Sequence, residues 1–333
     1  MSKKLVITGG AGFVGTNLTL HALTKDYSVT IYDTRDRLRR LQLCGLLEHE
    51  RVTFYATDLA QDNFLFENDT HAIIHLAALA HVDYSLYQPE KVVTNNILSL
   101  VNVLQVAVAH KIPILYTSSV EVYGGNNGAL FSEESPLYPL SPYAASKVSG
   151  EAIIQSYIAS SDLIATTVRL TNLYGPWQAP DRLVPRIITQ ILCNHPCEIT
   201  KDRFRDYVYI TDATEALLGI VDQAHWGEVF NLSSELGSSN FAVATKIKEL
   251  SSQPCHITTV DMKPKDGRGT SLVSSSQKLQ SALAWSPSIA LPRGIQLVFD
   301  WYSSHHEWWQ QFETCIKSDR DKPEFMIDWI YDL

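Results

Sequence analysis

Lys4-Leu5-Val6-Ile7-Thr8-Gly9-Gly10-Ala11-Gly12-Phe13-Val14-Gly15 sets a short apolar run directly against glycines at 9, 12 and 15. The run reads as a buried strand, and the apolar periodicity over 13–23 reads as the helix that follows it. A diphosphate needs backbone N–H groups at a helix N-terminus with no Cβ in the way. Gly9, Gly12 and Gly15 supply that arrangement. Glycine also marks ordinary turns, so the motif takes its meaning from what surrounds it.

Outward from this point, short apolar runs at 29–32, 52–55, 72–76, 112–116 and 163–170 predict further strands, with helices over 89–110 and 143–160. Short buried strands alternating with helices predict an α/β fold, a doubly wound parallel sheet of Rossmann type with right-handed crossovers. After Gly175-Pro176 the alternation loosens. The pattern predicts a dinucleotide-binding domain over 1–175, rejoined by 206–233, and a smaller C-terminal α/β lobe over 176–205 and 234–333. The aromatic residues Trp301, Tyr302, Trp308, Trp309 and Phe312 suit packing on one helix face better than a ligand cage.

Asp33 stands at the end of the second strand, where a carboxylate accepts both hydroxyls of an adenosine ribose and repels a 2′-phosphate. That favours NAD over NADP, a preference that neighbouring Arg35 weakens slightly. Asp58 and Leu59 follow the third strand and are expected beside the adenine; a helix-capping role for Asp58 is compatible with this. Tyr143 and Lys147 lie four apart at the start of a helix and so share a face. A cation there would lower the phenol's pKa and let it take a proton from a sugar hydroxyl. Ser119, after the fifth strand, supplies a hydroxyl to hold that oxygen. An isolated Y-x-x-x-K is common by chance; its distance from the glycine turn gives this one weight.

The chain has 333 residues, 45% hydrophobic and 19% charged, the composition of a globular protein with room for one large domain and a small one. A net charge of -9 argues against a nucleic-acid or membrane-surface partner, since both demand a basic face. The five cysteines, Cys44, Cys193, Cys197, Cys255 and Cys315, show no zinc or redox spacing and read as reduced structural thiols, with no metal site expected. The N-terminal apolar run is too short for a signal peptide, and no later run has the uninterrupted apolar length of a bilayer span. A cytoplasmic enzyme is expected.

The blocks TGGAGFVG, HLAALAHVDYS, SSVEVYG, SPYAASK, LYGPWQAPDRLVPRII, RDYVYITD and WYSSHHEWW, in this order, extend over nearly the whole chain. Together they resemble the extended short-chain dehydrogenase/reductase family, the nucleotide-sugar epimerases and dehydratases. The resemblance implies a catalytic triad of Ser119, Tyr143 and Lys147. It implies cofactor contacts from Gly9, Gly12, Phe13, Val14, Gly15, Asp33, Asp58, Leu59, Leu76, Ala77, Ala78 and Asn96, besides Tyr143 and Lys147. It also implies substrate contacts from Asp83, Ser85, Asn172, Arg205 and Arg268, with Arg182 a further candidate. Guanidinium groups suit bidentate phosphate binding; a surface salt bridge is the favoured reading for Arg182 alone, but not for Arg205 in its RDYVYI block. Family members pair two helices into a four-helix bundle, so a homodimer is expected from 95–110 and 143–160.

Glu121 bears on the reaction. Sugar 4,6-dehydratases and related decarboxylases of the family carry a glutamate there, and 4-epimerases usually a small or neutral residue. A ketone at C4 acidifies the C5 hydrogen, which a carboxylate could remove while the C6 hydroxyl leaves. The HVDYS block and the tail resemble the dTDP-glucose 4,6-dehydratases, which have an aspartate where Val120 stands; valine donates no proton. Loss of a general acid costs on the order of a hundredfold or more. A solvated loop carboxylate is the other reading of Glu121, and the one adopted for Glu133 and Glu134. A hexose 4,6-dehydratase therefore stands first. Beside it stand a 4-epimerase or another rearrangement such as decarboxylation, a non-catalytic NAD-binding regulator, and a simple dehydrogenase releasing NADH.

Overall fold

A computed structural model describes residues 2–34, 38–125, 128–201, 203–253, 255–261 and 269–312. Strands β1 (Lys4–Thr8), β2 (Ser28–Asp33), β3 (Val52–Ala56), β4 (Thr70–His75), β5 (Ile114–Ser119) and β6 (Ala165–Leu170) form one parallel sheet. The chain leaves it for β7 (Asn172–Tyr174), β8 (Cys197–Thr200) and β9 (Phe204–Tyr209), then returns with β10 (Val229–Leu232) beside β6. Three short strands follow: β11 (Gly237–Ser239), β12 (Ile257–Val260) and β13 (Ser271–Leu272). The large sheet runs β10-β6-β5-β4-β1-β2-β3, and reverses direction of growth between β1 and β4. In doubly wound sheets that reversal opens the ligand crevice at the carboxyl ends of the strands.

Helices α1 (Phe13–Thr24), α2 (Leu38–Leu43), α3 (Val82–Tyr87), α4 (Pro89–His110) and α5 (Pro142–Ser160) belong to this domain. Helix α6 (Leu183–Leu192) belongs to the small lobe and α7 (Ile210–Asp222) packs back on α1. The lobe continues with α8 (Asn240–Glu249), α9 (Gln277–Leu283), α10 (Leu291–Ser304) and α11 (His306–Trp309). Successive strand residues point to opposite faces, and both faces are covered. Leu5, Ile7, Ile74, Leu115 and Val168 join α1 and α7 through Leu18, Ala22 and Leu217. Val6, Ile73, Ile114 and Ala165 meet Leu100, Val103, Leu104 and Ile154 of α4 and α5. Each of the valine, leucine and isoleucine side chains contributes about 1.5–3 kcal/mol on burial. This explains why the strands read as unbroken apolar runs.

Several boundaries differ from the expected ones. The runs at 112–116 and 163–170 begin as strands at Ile114 and Ala165, because the preceding residues lead out of helices. Residues 206–209 lie in β9, which pairs with β7, β11 and β13 in the small sheet; the return to the large domain starts at α7. Glu133, expected to be solvated, accepts the Asn231 backbone N–H of β10 at 2.8 Å. By length and composition α4 could cross a membrane, yet it packs against α3 and α5. Tyr302, Trp308, Trp309 and Phe312 are buried, as packing residues should be.

Candidate active site

A cleft of about 810 Å³ opens where the large sheet reverses, and residues of both lobes line it. Its dinucleotide end is built by the turn after β1. Gly9 has φ +70, and a Cβ there would stand 2.7 Å from the Ala77 backbone nitrogen. At Gly15 a Cβ would stand 2.5 Å from the Gly10 Cα. Both positions therefore require glycine, and the first turn of α1 approaches β1 closely. Asp33 faces the turn; one carboxylate oxygen accepts the Ala11 N–H at 2.9 Å and the other the Thr34 N–H at 2.9 Å. Phe13, Val14, Asp58, Leu59, Leu76, Ala77 and Ala78 complete this wall. Asp58 also accepts the Ala60 N–H at 3.0 Å, so it holds its own turn while facing the cleft. Asn96 is placed differently from its expected role. It is buried behind the wall, accepts the Leu79 N–H at 2.7 Å and donates to Ser146 at 3.0 Å, tying that loop to α5.

The catalytic candidates meet at the centre. Ser119 ends β5 and its hydroxyl accepts the Glu121 N–H at 3.2 Å. Ser141 caps α5 by accepting the Ala144 N–H at 3.2 Å and Pro142 occupies the first turn, which fixes Tyr143 beside the end of β5. Ser119 lies close enough to Tyr143 to bear on its phenol, and both face the cleft. Lys147, one turn on, donates to the Thr117 carbonyl at 2.8 Å and lies 4.9 Å from the Tyr116 ring centre. Burial lowers its pKa to about 8, with Glu151 pulling the other way. Burial raises the Tyr143 phenol above its ordinary value; Ser119 and the Arg182 charge lower it, and Glu121 raises it. Desolvation outweighs these attractions, so the buried phenol stays above its ordinary value.

Behind this group lies a buried network. Glu151, one turn beyond Lys147, pairs with Arg169 at 2.7 Å and accepts the Ser118 hydroxyl at 2.6 Å. Arg169 also donates to the Tyr123 hydroxyl at 2.8 Å. Removing one partner of such a pair typically costs about 3–5 kcal/mol.

Glu121 and Val120 separate sharply. Glu121 lines the cleft. Val120 is buried in an apolar cluster with Val122, Tyr123, Phe131 and Leu272. Its side chain belongs to the packing between the Ser119 turn and β13, not to the cleft wall.

On the opposite side Asp83, Asn172, Arg182 and Arg205 line the cleft as expected. Arg205 also donates to the carbonyls of Phe204, Gly269 and Thr270, clamping β9 to β13. Arg182 pairs with Asp181 at 3.2 Å, and His81 lies 3.7 Å from the same carboxylate. Ser85 is fully buried inside α3, donates to the Val82 carbonyl at 2.7 Å and does not reach the cleft. Arg268 and Arg35 lie outside the described residues. Sequence reasoning missed Arg186, Arg203, Tyr207 and Asn240, which line the lobe end of the cleft. Arg186 is 7% exposed and its Nε has no hydrogen-bond partner among the described residues. A lone cation within the apolar helix LVPRIITQIL was the signal that could have found it. Among the described residues no cluster of His, Cys, Asp and Glu could hold a metal.

A doubly wound sheet with a glycine cradle, Ser119, Tyr143 and Lys147 at one centre, and arginines on the facing lobe defines an extended short-chain dehydrogenase/reductase. The chain belongs to the GDP-mannose 4,6 dehydratase family, whose model matches residues 6–298. A dTDP-D-glucose 4,6-dehydratase of Dictyostelium discoideum is 30% identical to it, over 92% of this chain and 83% of that one. A crystal structure of UDP-glucuronic acid 4-epimerase from Bacillus cereus, in complex with UDP-glucuronic acid and NAD, matches with a TM-score of 0.81. It is 26% identical, with 90% of this chain and 99% of that one covered. A dTDP-glucose 4,6-dehydratase from Streptomyces venezuelae shares the fold with a TM-score of 0.84, at 24% identity and with 92% and 99% covered.

Proposed function

We propose that this enzyme is an NAD-dependent nucleotide-hexose 4,6-dehydratase that works through a transient 4-keto sugar. The observation that carries the reading is Glu121 on the cleft wall beside the Ser119–Tyr143 pair. The cofactor's fit is supported by the cradle at Gly9 and Gly15, which any Cβ would fill, and by the Asp33 carboxylate at its rim. Bound NAD would supply the acceptor for the hydrogen leaving C4 and, once water is lost, the donor that returns it to C6, while C5 regains a proton. Tyr143 takes the C4 hydroxyl proton and Ser119 holds that oxygen. Lys147 anchors α5 to β5 through Thr117 and keeps a positive charge behind the phenol. Glu121 removes the C5 proton as the C6 hydroxyl departs. The diphosphate and nucleoside suit the lobe end, where Arg186 and Arg203 present guanidinium groups.

One observation favours a second reading, a 4-epimerase. Val120 gives the leaving hydroxyl no proton donor, and its burial keeps it out of the cleft. The two readings separate by mass. Incubation with UDP-, dTDP-, GDP- and CDP-hexoses is expected to yield a product lighter by one water; a product of unchanged mass selects epimerisation.

The same proposal includes a homodimer with α4 and α5 at its interface. Leu86, Tyr87, Val93 and Leu98 are exposed along α3 and α4, and a second copy would cover them. Sedimentation at micromolar concentration tests it: a dimer is expected, and a clean monomer contradicts it. A cytoplasmic setting belongs to the proposal as well, supported by Cys44, Cys197 and Cys255 being free thiols.

A further inference from the structure

The catalytic reading leaves one pair of buried nucleophiles unused. Cys197 opens β8, and Cys255 lies two residues before β12, the strand that pairs with β8 in parallel. The Cys197 N–H donates to the His256 carbonyl at 2.9 Å, and Cys197 stands opposite Ile257 in register. This pairing holds the two sulfurs 3.4 Å apart, although the residues are 58 apart in sequence. Cys197 is 0% exposed and Cys255 6%. Both are free thiols. Two thiols held in contact by a strand pair need only close to about 2.0 Å for a bond to form.

We propose that Cys197 and Cys255 are a modification site, forming a reversible intramolecular disulfide with small peroxides as oxidant. The more exposed Cys255 sulfur attacks a peroxide oxygen, becoming a sulfenic acid as the O–O bond breaks and water or an alcohol leaves. The Cys197 sulfur then forms the S–S bond, displacing the hydroxyl, which departs as water with the Cys197 proton. Two thiols are oxidised and one peroxide is reduced. Burial excludes bulky disulfides such as glutathione disulfide and raises the Cys197 pKa, so the reaction is slow and confined to small oxidants. The bond would staple β12 to β8, whose last residue, Thr200, lines the lobe end of the cleft. It would also close a long loop in the unfolded chain, which stabilises the folded form.

The test uses the full chain treated with hydrogen peroxide, alkylated, digested without reductant and analysed by mass spectrometry. The expected product has lost two hydrogens and contains a peptide linking Cys197 to Cys255; a phosphine reductant restores both thiols. The unfolding midpoint should rise by about 5 °C on oxidation. Cys197→Ser should lack both the link and the rise, while its activity in reductant equals that of the parent. Recovery of Cys197 and Cys255 as alkylated thiols under oxidant that modifies other cysteines would overturn the proposal. So would oxidation of either to a sulfinic acid, or linkage of either to Cys44, Cys193 or Cys315. The wild-type measurement decides the matter even if the variant fails to fold.

Discussion

The two ends of the cleft are built in opposite ways. At the dinucleotide end a single stretch, from Gly9 to Gly15, supplies the turn, and Asp33 arrives on the adjacent strand. At the lobe end the wall gathers Arg186 from α6, Arg203 and Arg205 around β9, and Asn240 from α8. The first is backbone shaped by missing side chains; the second is charge carried by long ones. The difference teaches that the dinucleotide end is fixed by local geometry, whereas the lobe end exists only once distant elements have assembled.

The largest effect is expected where the ends meet. Tyr143→Phe should lower kcat by about 10²–10⁴-fold while leaving both cofactor and nucleotide affinity intact. Single-turnover kinetics with calorimetric binding checks this, and a loss of cofactor binding would show that Tyr143 belongs to the dinucleotide end instead. Arg186→Met comes next. It should weaken nucleoside diphosphate binding about 10–100-fold, the range for one hydrogen bond to a charged group, without changing cofactor affinity. Equal loss of both would erase the distinction between the ends. Asp33→Ser should weaken NAD by about tenfold and narrow its preference over NADP, with nucleotide affinity unchanged.

The smallest effect is a displacement of a pH profile. Lys147 titrates at about 8, so activity that needs its ammonium should fall as pH rises through that value. Glu151 raises the Lys147 pKa, and Glu151→Gln should move the alkaline limb to lower pH. The sign for stability is the reverse. Between about 8 and the ordinary lysine value of 10.5 the unfolded chain binds more protons at this site, so its contribution to stability rises with pH.

The dinucleotide end was legible because its determinants are contiguous. Gly9, Gly12, Gly15 and Asp33 act through spacing, and spacing survives without knowledge of the fold. Tyr143 and Lys147 were legible for the same reason, one helical turn apart. Arg182 comes to the same cleft from a different lobe, and no sequence separation reports that. Arg186 and Arg203 escaped notice for the same cause. Asn96 and Ser85 fell near the right place, but a side chain behind the wall and one on it look alike in sequence. The Cys197–Cys255 contact escaped because it arises only once β8 and β12 pair.

A 4,6-dehydration stands or falls on Glu121 working as a base on carbon, and solvent isotope reports that directly. Turnover of the accepted nucleotide-hexose in heavy water should give a 4-keto-6-deoxy product bearing deuterium at C5, and Glu121→Gln should form none of it. A product of unchanged mass with protium at C5, formed equally well by Glu121→Gln, would contradict the account.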